Sequence, residues 1–355
     1  MFSTKHCEDG GLPPVLGNFV KKFKFCQICG IVFMLFARQG ADPRLYKKGF
    51  LNMNFTGIKI EDKHIFDRLL KMNNYVDAEY LFSTLFMWQD IVGYQWAFQD
   101  DCIYIRHISD GQVKYHFPIC APERAVEKLK ELKSAVNNKG EKLELVCVTE
   151  EQLEIMGKEK DNFTIIEKRN YSDYLYDGDS LRTLDGKKLR KKRAHVSNFT
   201  KKYNWEFRIF TKEGEDLKNC KEILKKWSDS KAENTTQKEA RLMDNESSAV
   251  ERCMRHFSEL GFIGGIMYID GQPEGFTIGE KSDRGKISTG IIHYEKCNNE
   301  YDGVYQAINQ MFAQQALSGV QYINRQEDMG VEGLRKAKLS YYPVRLVNKF
   351  TLKEI

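Results

Sequence analysis

The sequence has no spaced cysteine and histidine set of the kind that binds a metal. Its nine cysteines fall without a repeated spacing, and the one C-x-x-C, Cys26 and Cys29, has no second pair or histidine cluster to complete a tetrahedral site. Reduced, buried thiols are expected instead, with no metal. A long apolar run is missing too. The strongest, Phe25 to Ala37, follows Lys21, Lys22 and Lys24 but falls short of the roughly 20 apolar residues that span a bilayer. Charge of one sign is also lacking in the body of the chain. Residues 1–52 carry eight Lys and Arg against three acids, which leaves 47 bases and 47 acids beyond them. Any polyanion site must therefore come from local clustering.

What is present suits sizeable cores: 355 residues, 41% hydrophobic and 12% aromatic, about the length of two domains. Residues 1–52 read apart from the rest. Three readings stand: an interfacial anchor, an extension without structure, or a start assigned upstream of the true one at Met53. The strand-like "MNFTGIKI" beginning there favours the last.

From Met53 onward helix and strand signals alternate. "FTGIKI" predicts a strand, and "DKHIFDRLLKMNNY" a helix capped by Asp62 with Ile65, Leu69 and Met72 on one face. A helix at "AEYLFSTLFMWQ" precedes strands in "YQWAFQDDCIYIRHI" and "QVKYHFPI". "APERAVEKLKELKSAVNNKG" is a helix with Pro122 in its first turn and Gly140 at its end. "KLELVCV", "TEEQLEIMGK" and "NFTIIEKR" close the first half. The second half repeats this order: "NWEFRIF", two helices, a hairpin at Asp270-Gly271, the strand "KISTGIIHYEK", a helix, the strand "VQYINRQ", a helix, and "VRLVNKFTLK" as one last strand. The expected architecture is α/β (α+β), two tandem domains with mixed, largely antiparallel sheets. The boundaries are an extension over 1–52, a first domain over 53–177, and a basic connecting helix with a second domain over 178–355.

Four blocks go beyond pattern: "YLYDGDSLRTLDGKKLRKKRAHVSNF", "GFIGGIMYIDGQPEGFTIGE", "IIHYEKCNNEYDGVYQAINQMFA" and "YINRQEDMGVEGLRKAKLSYYP". Together they resemble the domain at the C-terminus of phosphatidylglycerol lysyltransferases, and more closely its stand-alone bacterial members. The resemblance runs from Met53 to the C-terminus. It implies two tandem GNAT-like (acyl-CoA N-acyltransferase) folds, related to Fem-type aminoacyltransferases that use charged tRNA. It also implies a cytoplasmic protein, with a peripheral place at the inner membrane face left open.

Under that resemblance the donor is aminoacyl-tRNA or acyl-CoA, and the acceptor a phospholipid or small amine. The loop "CNNEYDGVYQAI", where a CoA pyrophosphate would sit on a helix N-terminus, has one glycine, Gly303, and no spaced glycines with a base. That favours a donor other than CoA, or a non-catalytic binding module; Gly303 as a simple tight turn is the plainer alternative.

The segment "DGKKLRKKRAHVSNFTKKY" holds eight Lys and Arg against one acid. Read as a helix capped by Asp185, it puts Leu189, Val196, Phe199 and Tyr203 near one face. Its charges, with Lys188, Lys192, Arg193 and Asn198 as candidate contacts, suit either solvent or a polyanion.

In "NRQEDMGVEGLRKAKLSYYP", Glu327 and Asp328 are candidate catalytic carboxylates, with Asn324, Arg335, Lys338 and Tyr341 as substrate contacts. A structural Asp328–Arg335 ion pair is the alternative. His293 and Glu295 lie two apart on a strand and so are expected on one face. Glu295 is the third candidate acid/base group, and Tyr305 and Gln306, opening the next helix, line the same cleft.

Overall fold

The computed structural model describes residues 53–109, 111–232 and 237–355; the expectations for residues 1–52 lie outside that range. The first half runs α1 (Lys63–Leu70), α2 (Phe82–Val92), β1 (Gln95–Gln99), β2 (Cys102–Ser109), β3 (Gln112–His116), α3 (Ala125–Asn137), β4 (Glu144–Thr149), α4 (Glu150–Met156) and β5 (Phe163–Glu167). Then come β6 (Asp173–Asp177), α5 (Gly178–Thr183), α6 (Arg190–Lys202), β7 (Trp205–Phe210), α7 (Glu215–Ala232), α8 (Gln237–Arg255) and α9 (Phe257–Leu260). The chain ends with β8 (Ile263–Ile269), β9 (Gln272–Arg284), β10 (Ile287–Cys297), α10 (Val304–Gln315), β11 (Tyr322–Asn324), α11 (Glu332–Leu339), β12 (Arg345–Val347) and β13 (Lys349–Glu354). Among the described residues no helix is long and apolar enough to cross a membrane.

Local chemistry sets most of these elements. Thr149 and Gln152 form a capping box that starts α4. In α3, Ala125, Leu129, Leu132 and Val136 form the buried stripe. Asp270 (φ 51°) and Gly271 (φ 78°) make the left-handed pair that folds β8 onto β9. "FTGIKI" is not a strand: only Thr56 bridges to Trp96, and Ile60–Asp62 turns into a 3-10 helix. Met72 lies beyond α1 and is exposed. The helix expected from Asp185 starts later, at Arg190, because Leu184 (φ 55°) and Gly186 (φ 84°) both sit in the left-handed region.

The two sheets repeat one plan. In the first, β1, β2 and β3 form an antiparallel meander, β4 lies parallel to β3, and β13 and β5 follow. In the second, β7 to β10 form the meander, β11 lies parallel to β10, and β6 and β12 follow. The mixed, largely antiparallel sheets expected are thus present, two of them, in one compact unit.

Each sheet, however, borrows one strand. β6, which follows β5 in the chain, sits in the second sheet between β11 and β12. β13, which follows β12, sits in the first between β4 and β5. "VRLVNKFTLK" is therefore two strands in different sheets, parted at Asn348 where the chain crosses over.

The exchanged strands are fastened where they begin. Ser172 donates to Asn348 Oδ1 at 3.2 Å, and Lys349 Nζ lies 2.8 Å from Asp173 Oδ1 and 3.4 Å from Glu79 Oε2. The other Asp173 oxygen accepts from the Ala78 N–H and the Asn324 amide. Lys349 and Asp173 are buried, so removing one partner strands a charge out of water. Lys349→Met is expected to lower unfolding free energy by about 3–5 kcal/mol in denaturant titration. Adding Asp173→Asn to it should recover part of the loss; equal stability of wild type and Lys349→Met would show that the pair does not fasten the exchange.

Candidate functional site

The second sheet opens between its parallel strands. β10 pairs with β11 only over Thr289–Ile291 and Tyr322–Asn324. Beyond that, a bulge between Ile292 and Tyr294 bends β10, while Gln326 (φ 56°) and Met329 (φ 54°) turn the chain leaving β11. α11 fixes the turn from the other side: Lys338 Nζ donates to the carbonyls of Arg325 (2.6 Å), Gln326 (3.1 Å) and Glu327. Burial lowers the Lys338 pKa to about 8, against the pull of Glu327.

Arg325 enters this notch. Its Nη2 lies 3.1 Å from Glu295 Oε1, and the other Glu295 oxygen accepts from the Asn309 amide of α10 at 3.0 Å. The guanidinium stands 4.9 Å from the ring centre of Tyr341 and 5.9 Å from that of Tyr176, with Nη1 left without a hydrogen-bond partner. Lys192 of α6 reaches in from above, its Nζ 4.2 Å from the Tyr341 ring centre. Burial, then Arg325, shifts the Lys192 pKa downward, and no acid pairs with it among the described residues. Burial also raises Tyr341 to about 12, so its hydroxyl stays protonated.

His293 and Glu295 do not share a face. The bulge turns His293 onto the face of Glu280 on the neighbouring β9, 2.8 Å from its Nε2, while Glu295 turns towards α10. Ser83 donates to the same Glu280 oxygen, and the Gln326 amide meets His293 Nδ1 at 2.7 Å. Burial opposes ionisation of Glu280, but the bonds from His293 and Ser83 outweigh it and hold its pKa down. His293 Nε2 thus faces the Glu280 carboxylate and Nδ1 the Gln326 amide, ring-nitrogen roles assigned from these partners. The result is a polar chain running from the notch to α2.

A groove of about 680 Å³ lies further along α6, lined by His195, Asn198, Lys201, Lys202, Asp302, Gly303 and Gln306. Here α6 rests on the start of α10. A side chain at Gly303 would bring Cβ within 2.7 Å of the His195 carbonyl, and φ there is +86°. The glycine is a close-approach position as well as a turn. The first turn of α10 opens onto this groove, with the Val304 N–H already donating to the Tyr301 carbonyl at 3.2 Å.

The residues expected from the sequence divide accordingly. Glu295, Lys192, Lys338 and Tyr341 meet at the notch, and Asn198 and Gln306 share the groove. Tyr305 is a tie, its hydroxyl bonded to both backbone groups of Cys297. Asn324 holds the interface of the halves through Val76 and Asp173. Arg193 donates to the Leu184 carbonyl, and Lys188 is exposed, 5.4 Å from the Tyr342 ring centre. Glu327 is half-buried, and burial raises its pKa while Lys349 opposes. Arg325, Gln326 and Glu280, with Asn309 and Ser83 bonded to the site's carboxylates, were not among those expected. Arg325 and Gln326 stand in "NRQED" beside residues that were, whereas Glu280 has no local signal.

Asp328 is not an available base. Arg335 clasps it through Nε and Nη2, both at 2.9 Å, and Tyr174 (2.5 Å), Arg169 (3.3 Å) and the Gly330 N–H (2.8 Å) occupy the same carboxylate. These bonds overcome burial and hold its pKa far below the usual carboxylate value, so the structural ion pair is the form observed. A depressed folded-state pKa gives stability that is present above the unfolded value, about 4, and lost as pH falls through the folded one. Asp328→Asn should therefore destabilise the protein at pH 7, by about 3 kcal/mol or more. The gap to wild type should narrow as pH drops below about 4; a gap independent of pH in denaturation would contradict this.

Known proteins share this fold. A family model described as phosphatidylglycerol lysyltransferase, C-terminal, matches residues 73–353. A conserved protein of unknown function from Bacteroides thetaiotaomicron superposes with a TM-score of 0.77 at 28% identity, covering 86% of this chain and 100% of that one. L-PGS from Bacillus licheniformis superposes with a TM-score of 0.59 at 13% identity, covering 83% and 92%, a likeness of fold. An uncharacterized protein of Mycoplasmoides gallisepticum is 24% identical over 185 residues, 52% of this chain and 56% of that protein. This chain thus spans little more than half the length of that curated relative. With a family match over most of its length, the chain belongs to the phosphatidylglycerol lysyltransferase C-terminal family.

Proposed function

We propose that the protein is an acyltransferase that moves an aminoacyl group from aminoacyl-tRNA to an amine or a lipid headgroup, with the notch between β10 and β11 as its reaction centre. The observation that carries this reading is the placement of α6. Its apolar stripe, Leu189, Val196 and Phe199, is buried on α10. One lysine, Lys192, enters the notch, and two more, Lys201 and Lys202, edge the groove at the α10 N-terminus. A polyanion lying along α6 would meet both places at once.

In this reading the acceptor's lone pair attacks the ester carbonyl of the aminoacyl group. Charge developing on the carbonyl oxygen is met by Lys192 and by Arg325 Nη1, the two cationic donors with capacity to spare. Collapse of the adduct breaks the ester bond and releases the terminal tRNA hydroxyl, which takes up a proton as the acceptor loses one. The groove supports a second reading, an acyl-CoA-dependent N-acetyltransferase, because a helix N-terminus flanked by lysines also suits a pyrophosphate.

Transfer of radiolabelled amino acid from charged tRNAs to phospholipids or small amines tests the proposal, with acetyl-CoA as a parallel donor. Lys192→Ala should slow transfer by roughly 10²-fold while the protein stays folded. Lys201→Glu with Lys202→Glu should weaken tRNA binding and lower its salt slope by about 1 for each phosphate no longer neutralised. Transfer from acetyl-CoA alone would favour the second reading. No transfer from any donor, with no salt-dependent tRNA binding, would leave a non-catalytic module.

A further inference from the structure

We propose that Cys102 and Cys120 form a redox modification site, a cross-strand dithiol that closes to a disulfide when a small peroxide reaches it. Cys102 opens β2, and the chain leaving β3 returns to pair with it. The Ile103 N–H donates to the Ile119 carbonyl at 2.9 Å, and the Ile119 N–H to the Ile103 carbonyl at 3.0 Å. That makes Ile103 and Ile119 a hydrogen-bonded antiparallel pair. The next pair outward, Cys102 opposite Cys120, is therefore of the non-hydrogen-bonded kind, in which Cα atoms stand about 4.5 Å apart. A disulfide accepts Cα separations of about 4.4–6.8 Å, so this register admits one without moving either strand. Both thiols are free and buried, and Cys102 Sγ donates to the Ile103 carbonyl at 3.7 Å.

The surroundings divide the roles. Arg124 acts on Cys120 and Lys128 on both sulfurs, with Lys128 fixed by Asp100 at 2.5 Å and Glu131 at 2.8 Å. Neighbouring Cys102, then Arg124 and Lys128, hold the Cys120 pKa below the ordinary thiol value despite burial. Burial raises that of Cys102. Cys120 is thus the attacking sulfur and Cys102 the resolving one. The pair is buried, but the exposed hairpin turn Asp100–Asp101 adjoins Cys102, and half-exposed Ala121 follows Cys120. Only a small oxidant suits such a place.

The Cys120 thiolate attacks one peroxide oxygen, giving the sulfenic acid and hydroxide, which becomes water. Cys102 sulfur then displaces the sulfenic oxygen as a second water, and the S–S bond forms. Two thiols give up two electrons and two protons, and one peroxide becomes two waters.

The test uses the full chain in its native state with hydrogen peroxide as the probe. Remaining thiols are alkylated after denaturation, followed by intact mass measurement and peptide mapping. The expected result is loss of two alkylatable thiols, a peptide linking Cys102 to Cys120, and reversal by dithiothreitol. In Cys102→Ser the reaction should stop at a Cys120 sulfenic acid that dimedone captures. Equal alkylation of Cys102 and Cys120 before and after peroxide, or linkage through other cysteines instead, would overturn the proposal. The wild-type map decides this even if the variant does not fold.

Discussion

The fold depends on one buried ion pair at a crossing. Lys349 and Asp173 are the first residues of the two strands that the halves exchange, and they meet at 2.8 Å with Glu79 beside them. Neither half completes its sheet alone. The strand after β5 is needed by the second sheet, and the strand after β12 by the first. Hydrophobic packing follows the same logic: the larger core runs from Phe66, Phe82 and Trp96 of the first half into Cys220, Val250, Phe257 and Phe276 of the second. Two buried charges without each other are costly, but together they fix where the strands cross. The pair thus sets register as well as stability.

That crossing also positions the site. Asn324 ends the short parallel pairing of β11 and bonds to Asp173, so the strand exchange and the mouth of the notch share a residue. From there Arg325 turns to Glu295, Gln326 to His293, and Glu327 towards Lys349. Asp328 is held by Arg335, Tyr174 and Arg169, which anchors the loop, while Arg325, paired with Glu295 through Nη2, keeps only Nη1 unbonded beside Lys192. A binding site for developing negative charge needs such donors fixed in advance. The carboxylate that looked most catalytic supplies the fixing.

Much of this was legible in the sequence, for local reasons. The amphipathic stripe of α6, the Asp270-Gly271 hairpin and the helix at "TEEQLEIMGK" each follow from neighbouring residues. The segment "NRQEDMGVEGLRKAKLSYYP" marked the right region because it packs acid, base and aromatic groups between a strand and a helix. What stayed hidden rests on distant partners. Nothing near Asn348 announces that "VRLVNKFTLK" changes sheets, since strand pairing is decided by residues far along the chain. Tyr174 lies 154 residues from Asp328, so the saturation of that carboxylate had no local signature. The bulge at Ile292 and Tyr294 broke a rule of alternation that is sound for regular strands, and it separated His293 from Glu295. Most lysines of α6 do face water, as a solvated helix would; one faces the notch.

The proposed chemistry stands or falls on whether the end of a charged tRNA reaches Lys192. Periodate oxidation turns the terminal ribose of tRNA into a dialdehyde that forms Schiff bases with nearby amines, which borohydride makes permanent. Mapping the attached peptides after reduction answers the question. Attachment concentrated at Lys192 and suppressed by unmodified tRNA is the expected result. Attachment spread evenly over Lys187, Lys188 and Lys191, or absent from α6, would contradict it.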